Sequence, residues 1–319
     1  MIQLSKPKDM KLGILGLGKM GGNLALLAKE KGIAVVGKSR SAKPHLERKG
    51  VKVVGAYDPI VDFLDQPRVI YISIPAGPTV DKVIEELVPL LDSGDVVIDG
   101  GNSFYLDSVR REEDLADNGI FFLDCGTSGG VDGARKGPCF MVGGNKDGFK
   151  VAEPILTSLA AEGACIYTGD PGSGHFTKLV QDGVEAAMLQ AIGEGVSLLR
   201  ESDFHLDMEK IFKGWARGAT VRGWLVELMA KSLAEQRFSD VPTHVEDTGE
   251  VNWLVHDALE KEVPIPVIAQ AAMELFRSRD KNCDACRSVA LMRNSRGGYP
   301  LGKDDQLARE RRASRTEKI

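Results

Sequence analysis

The chain of 319 residues has no apolar run close to the roughly 18 residues that a membrane-spanning helix needs. Its first residues also lack the apolar region of a secretory signal. These two absences predict a cytoplasmic protein without a membrane partner. An excess of basic residues is missing as well, because 46 acidic side chains outnumber 41 basic ones and the formal net charge is −5. Nucleic acid is therefore not expected as a partner.

Cysteine is scarce, with five residues at positions 125, 139, 165, 283 and 286. An odd number in a chain of this length argues for reduced thiols. Cys283 and Cys286 have the spacing of metal ligands, but they are the only such pair and no His lies near them in sequence. We interpret the pair as incidental and predict no metal site.

The first half of the chain alternates short apolar runs with amphipathic stretches. The runs comprise residues 12–15, 34–36, 51–54, 69–74, 96–98 and 120–123. Such runs are typical of parallel strands that are covered on both faces. Helical spacing lies between them, as in residues 22–31 and 79–90, and this alternation predicts a doubly wound sheet. After a glycine- and proline-rich cluster at residues 168–174, the strand signals fade and helical spacing continues.

The first apolar run leads directly into the pattern G-x-G-x-x-G, and a helical segment follows at once. In this context the pattern strongly indicates a dinucleotide site. Gly16 would allow the tight turn, Gly18 would let the backbone approach the pyrophosphate, and Gly21 would permit close packing of helix on strand. The helix N-terminus would face the phosphates. A glycine-rich turn without a ligand is the alternative.

The second apolar run is followed by Lys38, Ser39, Arg40 and Ser41, where an NAD site usually has an acidic residue. A cation and hydroxyl groups suit a 2′-phosphate, because a guanidinium binds phosphate through two hydrogen bonds. We therefore predict NADP, with NAD possible if selectivity is loose. The predicted cofactor contacts are Gly16, Gly18, Lys19, Met20, Gly21, Ser39, Arg40, Ile74, Pro75, Ala76 and Asn102.

These patterns predict two domains. Residues 1–172 would form an α/β Rossmann-like, doubly wound, dinucleotide-binding domain. Residues 173–319 would form an all-α domain for substrate binding and dimerisation, with a charged C-terminal tail. That tail is either disordered or an arm lying on a partner subunit.

Lys178 and Glu185 lie seven residues apart on one predicted helix, and Asp182 lies between them. Positions i, i+4 and i+7 share a helix face, so the three side chains should project together. Because the rest of the helix is mostly apolar, it should be buried. A buried Lys tends towards its neutral form, so Lys178 and Glu185 are candidates for proton transfer. A structural ion pair is the alternative.

Six segments of the chain form a recognisable set in order along the sequence: residues 16–26, 99–103, 126–138, 174–178, 247–250 and 263–268. Through these segments the chain resembles the 6-phosphogluconate dehydrogenases, within the wider β-hydroxyacid dehydrogenases. The ending at residues 293–299 resembles the family's short form, which has one set of C-terminal helices. The resemblance implies a decarboxylating oxidoreductase of the pentose phosphate pathway or of gluconate utilisation.

The resemblance also implies a mechanism for a sugar-acid substrate. Lys178 would take the proton of the 3-hydroxyl and later return it to the carbonyl oxygen, and Glu185 would protonate C1 of the enediol. The residues implied to bind substrate are Asn102, Ser128, Gly129, Gly130, Asp182, Thr248 and Arg293. Asn102 and Ser128 could instead simply cap turns.

Departures from the family cluster near the substrate's far end. Ala186 and Leu275 stand where the family has a Tyr and an Arg that hold the terminal phosphate, and Glu246 replaces a Lys. Gln181 and Asp182 replace His-Asn, and Tyr299 replaces a His that reaches a neighbouring subunit. Either Arg277, Arg279, Arg296 or Tyr299 compensates, or the substrate lacks the 6-phosphate.

Three functions remain open at this point. The leading one is NADP-dependent decarboxylation of a 3-hydroxy sugar acid, by default 6-phosphogluconate to ribulose 5-phosphate and CO₂. A non-decarboxylating β-hydroxyacid dehydrogenase is second, and Glu185 argues against it because only decarboxylation needs a second acid. A nucleotide-binding sensor with an inactive site is third, and retention of both Lys178 and Glu185 argues against it.

We also expect a homodimer or higher homo-oligomer, because one set of C-terminal helices leaves apolar faces uncovered. The residues concerned are Trp215, Trp224, Leu225, Leu228 and Met229. Arg293 would then complete the neighbouring subunit's site.

Overall fold

The computed structural model describes residues 10–297 and 300–305. Its centre is an eight-stranded sheet with the order β3-β2-β1-β4-β5-β6-β7-β8. The strands are β1 Lys11–Leu15, β2 Ala34–Lys38, β3 Lys52–Val54, β4 Val69–Ile72, β5 Val96–Asp99, β6 Phe121–Ser128, β7 Cys139–Gly144 and β8 Cys165–Gly169. Neighbouring strands are parallel except that β7 runs antiparallel to β6.

Helices follow most strands, and the regular structure after β8 is helical in the part of the chain that the structure describes. In the sheet-forming part they are α1 Lys19–Glu30, α2 Pro44–Glu47, α3 Asp58–Val61, α4 Pro78–Leu87, α5 Tyr105–Ala116, α6 Gly130–Lys136 and α7 Lys146–Leu159. Then come α8 Ser173–Arg200, α9 Met208–Gly218, α10 Trp224–Glu235, α11 Glu250–Glu260, α12 Pro266–Arg279 and α13 Asp284–Gly297. The predicted fold class, a doubly wound α/β part followed by an all-α part, is confirmed.

Hydrophobic side chains cover both faces of the sheet. One buried cluster joins the strands to α1 and α7 through Leu24, Leu27 and Leu156. The other joins them to α4 and α5 through Ile84 and Leu115. Burial on both faces explains why the strands are nearly continuous runs of Val, Ile and Leu in the sequence.

The sequence prediction omits β7 and β8. The residues of β8 are all at least partly exposed, so this edge strand has no apolar run that would indicate it. The first four residues of β7 are apolar and would have been a sufficient signal. These two strands matter for the site, because β7 packs against the N-terminus of α8.

The described residues form two compact units. The first contains the sheet, residues up to Glu201 and Thr248–Ala269, so that α8 and α11 belong to it. The second contains Ser202–Asp247 and the chain from Gln270 onwards. Helix α8 begins one residue after the predicted boundary at 172. The division into domains at that boundary stays a prediction.

Within the second unit, α9 and α10 pack together, and Phe212 is buried there with the ring of Trp215 5.0 Å away. Trp224 and Leu228 remain exposed, and Trp215, Leu225 and Met229 are only partly buried. The expected incomplete covering of this apolar face is therefore present in the single chain.

Cys283 and Cys286 form a disulfide, so the expectation of reduced thiols is wrong for this pair. Three residues of separation at the start of α13 place their Cα atoms 5.3 Å apart, which is within bridging distance. Cys125, Cys139 and Cys165 are free thiols.

None of the helices among residues 10–297 is both long and apolar enough to cross a bilayer. Within the same part of the chain, His, Cys, Asp and Glu form no cluster of three or more that could hold a metal.

Candidate active site

The glycine-rich turn after β1 has the geometry that a dinucleotide needs. Gly16 has a φ of +102°, and a Cβ there would overlap the carbonyl of Ser73. A Cβ on Gly21 would overlap the carbonyl of Gly16, so the helix can approach the turn only because residue 21 is glycine. Gly18 is exposed and has open space where a Cβ would lie. The backbone is therefore accessible to a pyrophosphate at the N-terminus of α1, which begins at Lys19.

The loops after β4 and β5 lie beside this turn. The Cγ2 atom of Ile74 lies 2.8 Å from where a Cβ on Gly16 would be, and its carbonyl would overlap a Cβ on Gly101. The order β2-β1-β4-β5 places a topological switch point between β1 and β4, where α/β sheets open a crevice for ligands. Of the predicted cofactor contacts Ile74, Pro75 and Ala76, Ile74 lies beside the glycine-rich turn, and that turn fits a dinucleotide.

The carboxyl end of β2 offers donors rather than an acid. The Nζ atom of Lys38 lies 4.1 Å from the ring centroid of Tyr57. Burial, with a contribution from Glu86, raises the pKa of Tyr57 to about 12, so the phenol is neutral. Ser39 Oγ accepts a bond of 3.3 Å from the backbone of Ser41 and keeps its own proton to donate. Arg40 is exposed.

A buried carboxylate shapes the loop after β5. Asp99 is fully buried and accepts hydrogen bonds from Gly101 N at 2.9 Å, Ser103 Oγ at 2.6 Å and Arg111 Nη1 at 3.1 Å. Arg111 is also buried and pairs with Asp81 at 2.8 Å. This network, which sequence reasoning missed, fixes the loop that carries Asn102.

Asn102 is bound to the end of β6. Its backbone has a φ of +55°, a left-handed conformation that Asn tolerates better than most residues. Its Oδ1 accepts a bond of 2.9 Å from Thr127 N, and its Nδ2 donates one of 3.3 Å to Thr127 O. The side chain therefore connects the loop after β5 to the end of β6 and retains one N–H and one lone pair for a ligand.

Helix α8 starts in direct contact with the sheet. Asp124 of β6 is buried and accepts hydrogen bonds from Gly172 N at 2.8 Å and His175 N at 2.7 Å, so it caps the helix from another element. A Cβ on Gly174 would overlap Asp124 O and would lie 2.5 Å from Met141 O. His175 is buried and its Nδ1 lies 2.7 Å from Ser108 Oγ. The sequence shows the glycine but not the cap, because Asp124 is distant along the chain.

This docking places Lys178 at the crevice. Lys178 is 6% exposed, and its Cβ lies where a side chain on Gly126 would be. Its ammonium is ion-paired with Asp182, one turn further along α8. Burial raises the pKa of the Asp182 carboxyl, Lys178 opposes this, and Glu250 and Glu185 add to it.

Gln181 connects Glu185 to β6, and no pattern in the sequence indicates this connection. Gln181 Nε2 donates to Glu185 Oε2 at 3.0 Å, and Gln181 Oε1 accepts from Ser128 Oγ at 2.9 Å. Ser128 ends β6, and Gly129 and Gly130, both with positive φ, begin α6. The structure thus brings Lys178, Asp182, Glu185 and Ser128 together.

The expectation that α8 is wholly buried is wrong for the single chain. Val180 is 37% exposed, Val184 47%, and Met188 and Leu189 50% each. The buried face instead carries Gly174, His175, Lys178, Leu179 and Gly183. Glycine at 183 allows α11 to approach, because a Cβ there would overlap Leu254.

The predicted phosphate-binding residues lie in different units. Thr248 is exposed before α11 in the first unit and donates a hydrogen bond to Glu250. Arg293 is exposed on α13 in the second unit. In that unit, Arg279 pairs with Asp247 at 2.7 Å and Glu246 at 3.1 Å, and Arg277 pairs with Glu274 at 3.2 Å. Tyr299 and most of the charged tail lie outside the described residues.

A dinucleotide crevice with a buried Lys and a nearby Glu defines an NAD(P)-dependent oxidoreductase. Two family models match the chain: the NAD binding domain of 6-phosphogluconate dehydrogenase over residues 11–169, and the 6-phosphogluconate dehydrogenase C-terminal domain over residues 174–313. The chain belongs to the 6-phosphogluconate dehydrogenase family.

Relatives illustrate both cofactors. An NAD(+)-dependent, decarboxylating 6-phosphogluconate dehydrogenase of Haloferax volcanii is 38% identical over 93% of this chain and all of its own length. A Plasmodium falciparum 6-phosphogluconate dehydrogenase, solved with NADP+ and with 6-phosphogluconate, matches with a TM-score of 0.79 at 26% identity, over 92% of this chain and 67% of its own. A Mycobacterium tuberculosis 3-hydroxyisobutyrate dehydrogenase shares the fold, with a TM-score of 0.67 at 22% identity over 85% of this chain and 94% of its own.

Proposed function

We propose that the protein catalyses the NADP-dependent oxidative decarboxylation of a 3-hydroxy sugar acid, by default 6-phosphogluconate to ribulose 5-phosphate and CO₂. The arrangement of Lys178, Gln181 and Glu185 along one face of α8, against Ser128 of β6, carries this proposal. It supplies two separate proton-transfer groups, which oxidation alone would not need. A cytoplasmic homodimer or higher homo-oligomer remains part of the proposal.

Each residue has a defined task in this reaction. Lys178 accepts the proton of the substrate's 3-hydroxyl, while a bound NADP would supply an acceptor for the hydride from C3. The resulting β-keto acid loses CO₂ because its carbonyl takes up the electrons of the breaking bond. Lys178 then returns its proton to that oxygen, and Glu185 protonates C1 of the enediol. Such proton transfers contribute roughly 10²–10⁴-fold each.

Asn102, Ser128, Gly129 and Gly130 would bind the carboxylate and hydroxyl groups at the near end of the substrate. The remaining donors of Asn102 and the backbone N–H groups at the start of α6 support this role. Thr248, together with Arg293 of a neighbouring subunit, would bind the far end. Glu185 favours decarboxylation over simple oxidation of a β-hydroxyacid.

We expect wild-type enzyme to prefer 6-phosphogluconate over gluconate by at least about tenfold, the value of one charge-assisted hydrogen bond. The test is direct competition of the two acids, with reduced cofactor and CO₂ measured together. One CO₂ per reduced cofactor supports decarboxylation, whereas reduction without CO₂ supports the simple β-hydroxyacid dehydrogenase.

A specific observation favours the alternative acid without a phosphate. Arg279 and Arg277, two of the cations that could replace the missing Arg at Leu275, are already paired with carboxylates. A phosphate would have to displace Glu246, Asp247 or Glu274 from them. Equal or better use of gluconate in the competition would establish this alternative and reject 6-phosphogluconate as the substrate.

Replacing Arg40 by alanine should weaken NADP binding by about 10- to 150-fold and leave NAD binding nearly unchanged. Only NADP carries the 2′-phosphate, and a charge-assisted hydrogen bond contributes roughly 1.5–3 kcal/mol. Fluorescence titration of both cofactors measures this directly. Arg217→Ala, which removes an exposed arginine from α9, is the matched control. A wild type that prefers NAD, with no effect of Arg40→Ala on either cofactor, would contradict NADP selectivity.

A further inference from the structure

The contact between Lys178 and Asp182 holds the reacting end of the lysine. Gly126 leaves room for the lysine stem beside β6, and the Asp182 carboxylate binds the ammonium. Asp182 lies one turn after Lys178 on the same helix, so the pair forms within α8 itself. The lysine side chain is therefore held at both its stem and its ammonium.

The surroundings make this carboxylate unusual. Asp182 is half-buried, its side chain 21% exposed against 8% for Lys178. Glu185 on α8 and Glu250 on α11 are the other charged groups that act on Asp182. On the sheet side, burial raises the pKa of the Cys139 thiol of β7, and the charge of Lys178 opposes part of this rise. This group of side chains thus contains one cation, Lys178, and three acids, Asp182, Glu185 and Glu250.

Gln181 binds Glu185, the other acid on this face of α8, which is not part of the Lys178–Asp182 ion pair. Its amide binds Glu185 and Ser128, so Glu185 is bound by a neutral donor. Asp182 and Gln181 therefore have different contacts. The Asp182 carboxylate pairs with Lys178, and the Gln181 amide donates a hydrogen bond to Glu185. Both groups lie on consecutive residues between Lys178 and Glu185.

We propose that Asp182 is a positioning residue for Lys178, in place of the substrate contact that the family resemblance implies, and that its charge sets the pH at which Lys178 can act as a base. This rests on the proposed function of Lys178. A carboxylate next to an amine favours the protonated ammonium, whereas burial favours the neutral amine. An amide at position 182 would remove the first effect and leave the second.

The amide variant Asp182→Asn keeps the shape of the side chain and removes its charge. We expect the acid limb of the kcat/KM profile to move to lower pH by about 1–3 units, the usual effect of an adjacent opposite charge. KM should change little, and kcat should fall because the amine is less firmly oriented. Asp182→Glu, which restores the charge, should return the acid limb towards the wild-type pH.

The matched control is Glu209→Gln. It makes the same change of charge at an exposed Lys–acid pair, where Glu209 contacts Lys213 one turn away on α9. Its profile should coincide with that of wild type. An unchanged acid limb in Asp182→Asn, together with a raised KM, would show a substrate contact and overturn the proposal.

A second measurement does not depend on turnover. Acetic anhydride acylates only neutral amines, so peptide mass spectrometry at a series of pH values gives the midpoint at which Lys178 becomes reactive. That midpoint should move to lower pH in Asp182→Asn, while the midpoint of Lys213 stays constant. An unmoved midpoint of Lys178 overturns the proposal. If the labelling shifts but no sugar acid is turned over, the proposed function fails and the positioning role stands.

Discussion

Lys178→Arg is expected to reduce kcat by at least 10²–10⁴-fold, the range that general acid–base catalysis typically contributes. Arginine keeps the positive charge and can still pair with Asp182, so the buried contact is preserved. A guanidinium does not lose its proton in proteins and cannot take one from the 3-hydroxyl. Affinity for the dinucleotide should be unchanged, because the glycine-rich turn lies on β1 and α1.

The comparison with Lys178→Ala separates chemistry from folding. Alanine removes the proposed base and also leaves Asp182 without its cation, so this variant should lose activity and also some stability. Lys213→Ala, at the exposed pair on α9, is the control for loss of a lysine and should keep wild-type activity. Near-normal turnover by Lys178→Arg would contradict the assignment of Lys178 as the base.

The sheet could largely be predicted from the sequence because its buried parallel strands must be apolar along both faces. The predicted runs at residues 69–74 and 96–98 show this directly, since they overlap β4 and β5 and every residue of those two strands is buried. The edge strand β8 could not be found in this way, because it is partly exposed throughout. Whether a strand can be recognised from an apolar run depends on its position in the sheet, and the sequence does not state that position.

The site was predictable where one residue type has one physical task. Gly16 needs a positive φ, Gly18 needs open space and Gly21 needs close packing, and the structure provides each condition. The roles of polar side chains were harder to predict from the sequence. Asn102 is tied to Thr127, and Gln181 is tied to Ser128, through hydrogen bonds to a strand distant in sequence. Such partners depend on tertiary placement, so no local pattern reveals them.

Helix spacing correctly predicted that Lys178 and Asp182 share a face of α8, but it gave an incomplete account of burial. Lys178 and Asp182 do project together, as i and i+4 require. The apolar residues on the opposite side of α8, including Val184 and Met188, are half exposed in the single chain. An apolar helix face indicates that something covers it, and we propose a second copy of the chain.

Gly174→Ala should lower the free energy of unfolding by about 3 kcal/mol, the upper end of the usual cost of overpacking. The added Cβ would overlap Asp124 O and would lie 2.5 Å from Met141 O and 2.6 Å from Gly143 N. All three are backbone atoms of β6 and β7, so no side chain can turn aside to relieve the overlap. The N-terminus of α8 must therefore move away from the sheet and weaken its cap at Asp124.

The same movement should carry Lys178 away from its place beside Gly126. A displacement of about 1 Å at a reacting group can cost roughly 10²-fold in rate, so kcat should fall by about that factor. Gly193→Ala is the matched control, because Gly193 lies on the same helix and has open space around its Cβ position. Alanine there should stabilise the helix by about 0.5–1 kcal/mol. Urea unfolding and steady-state kinetics of the two variants test this together. Equal unfolding midpoints would mean that α8 does not depend on close docking against β6 and β7.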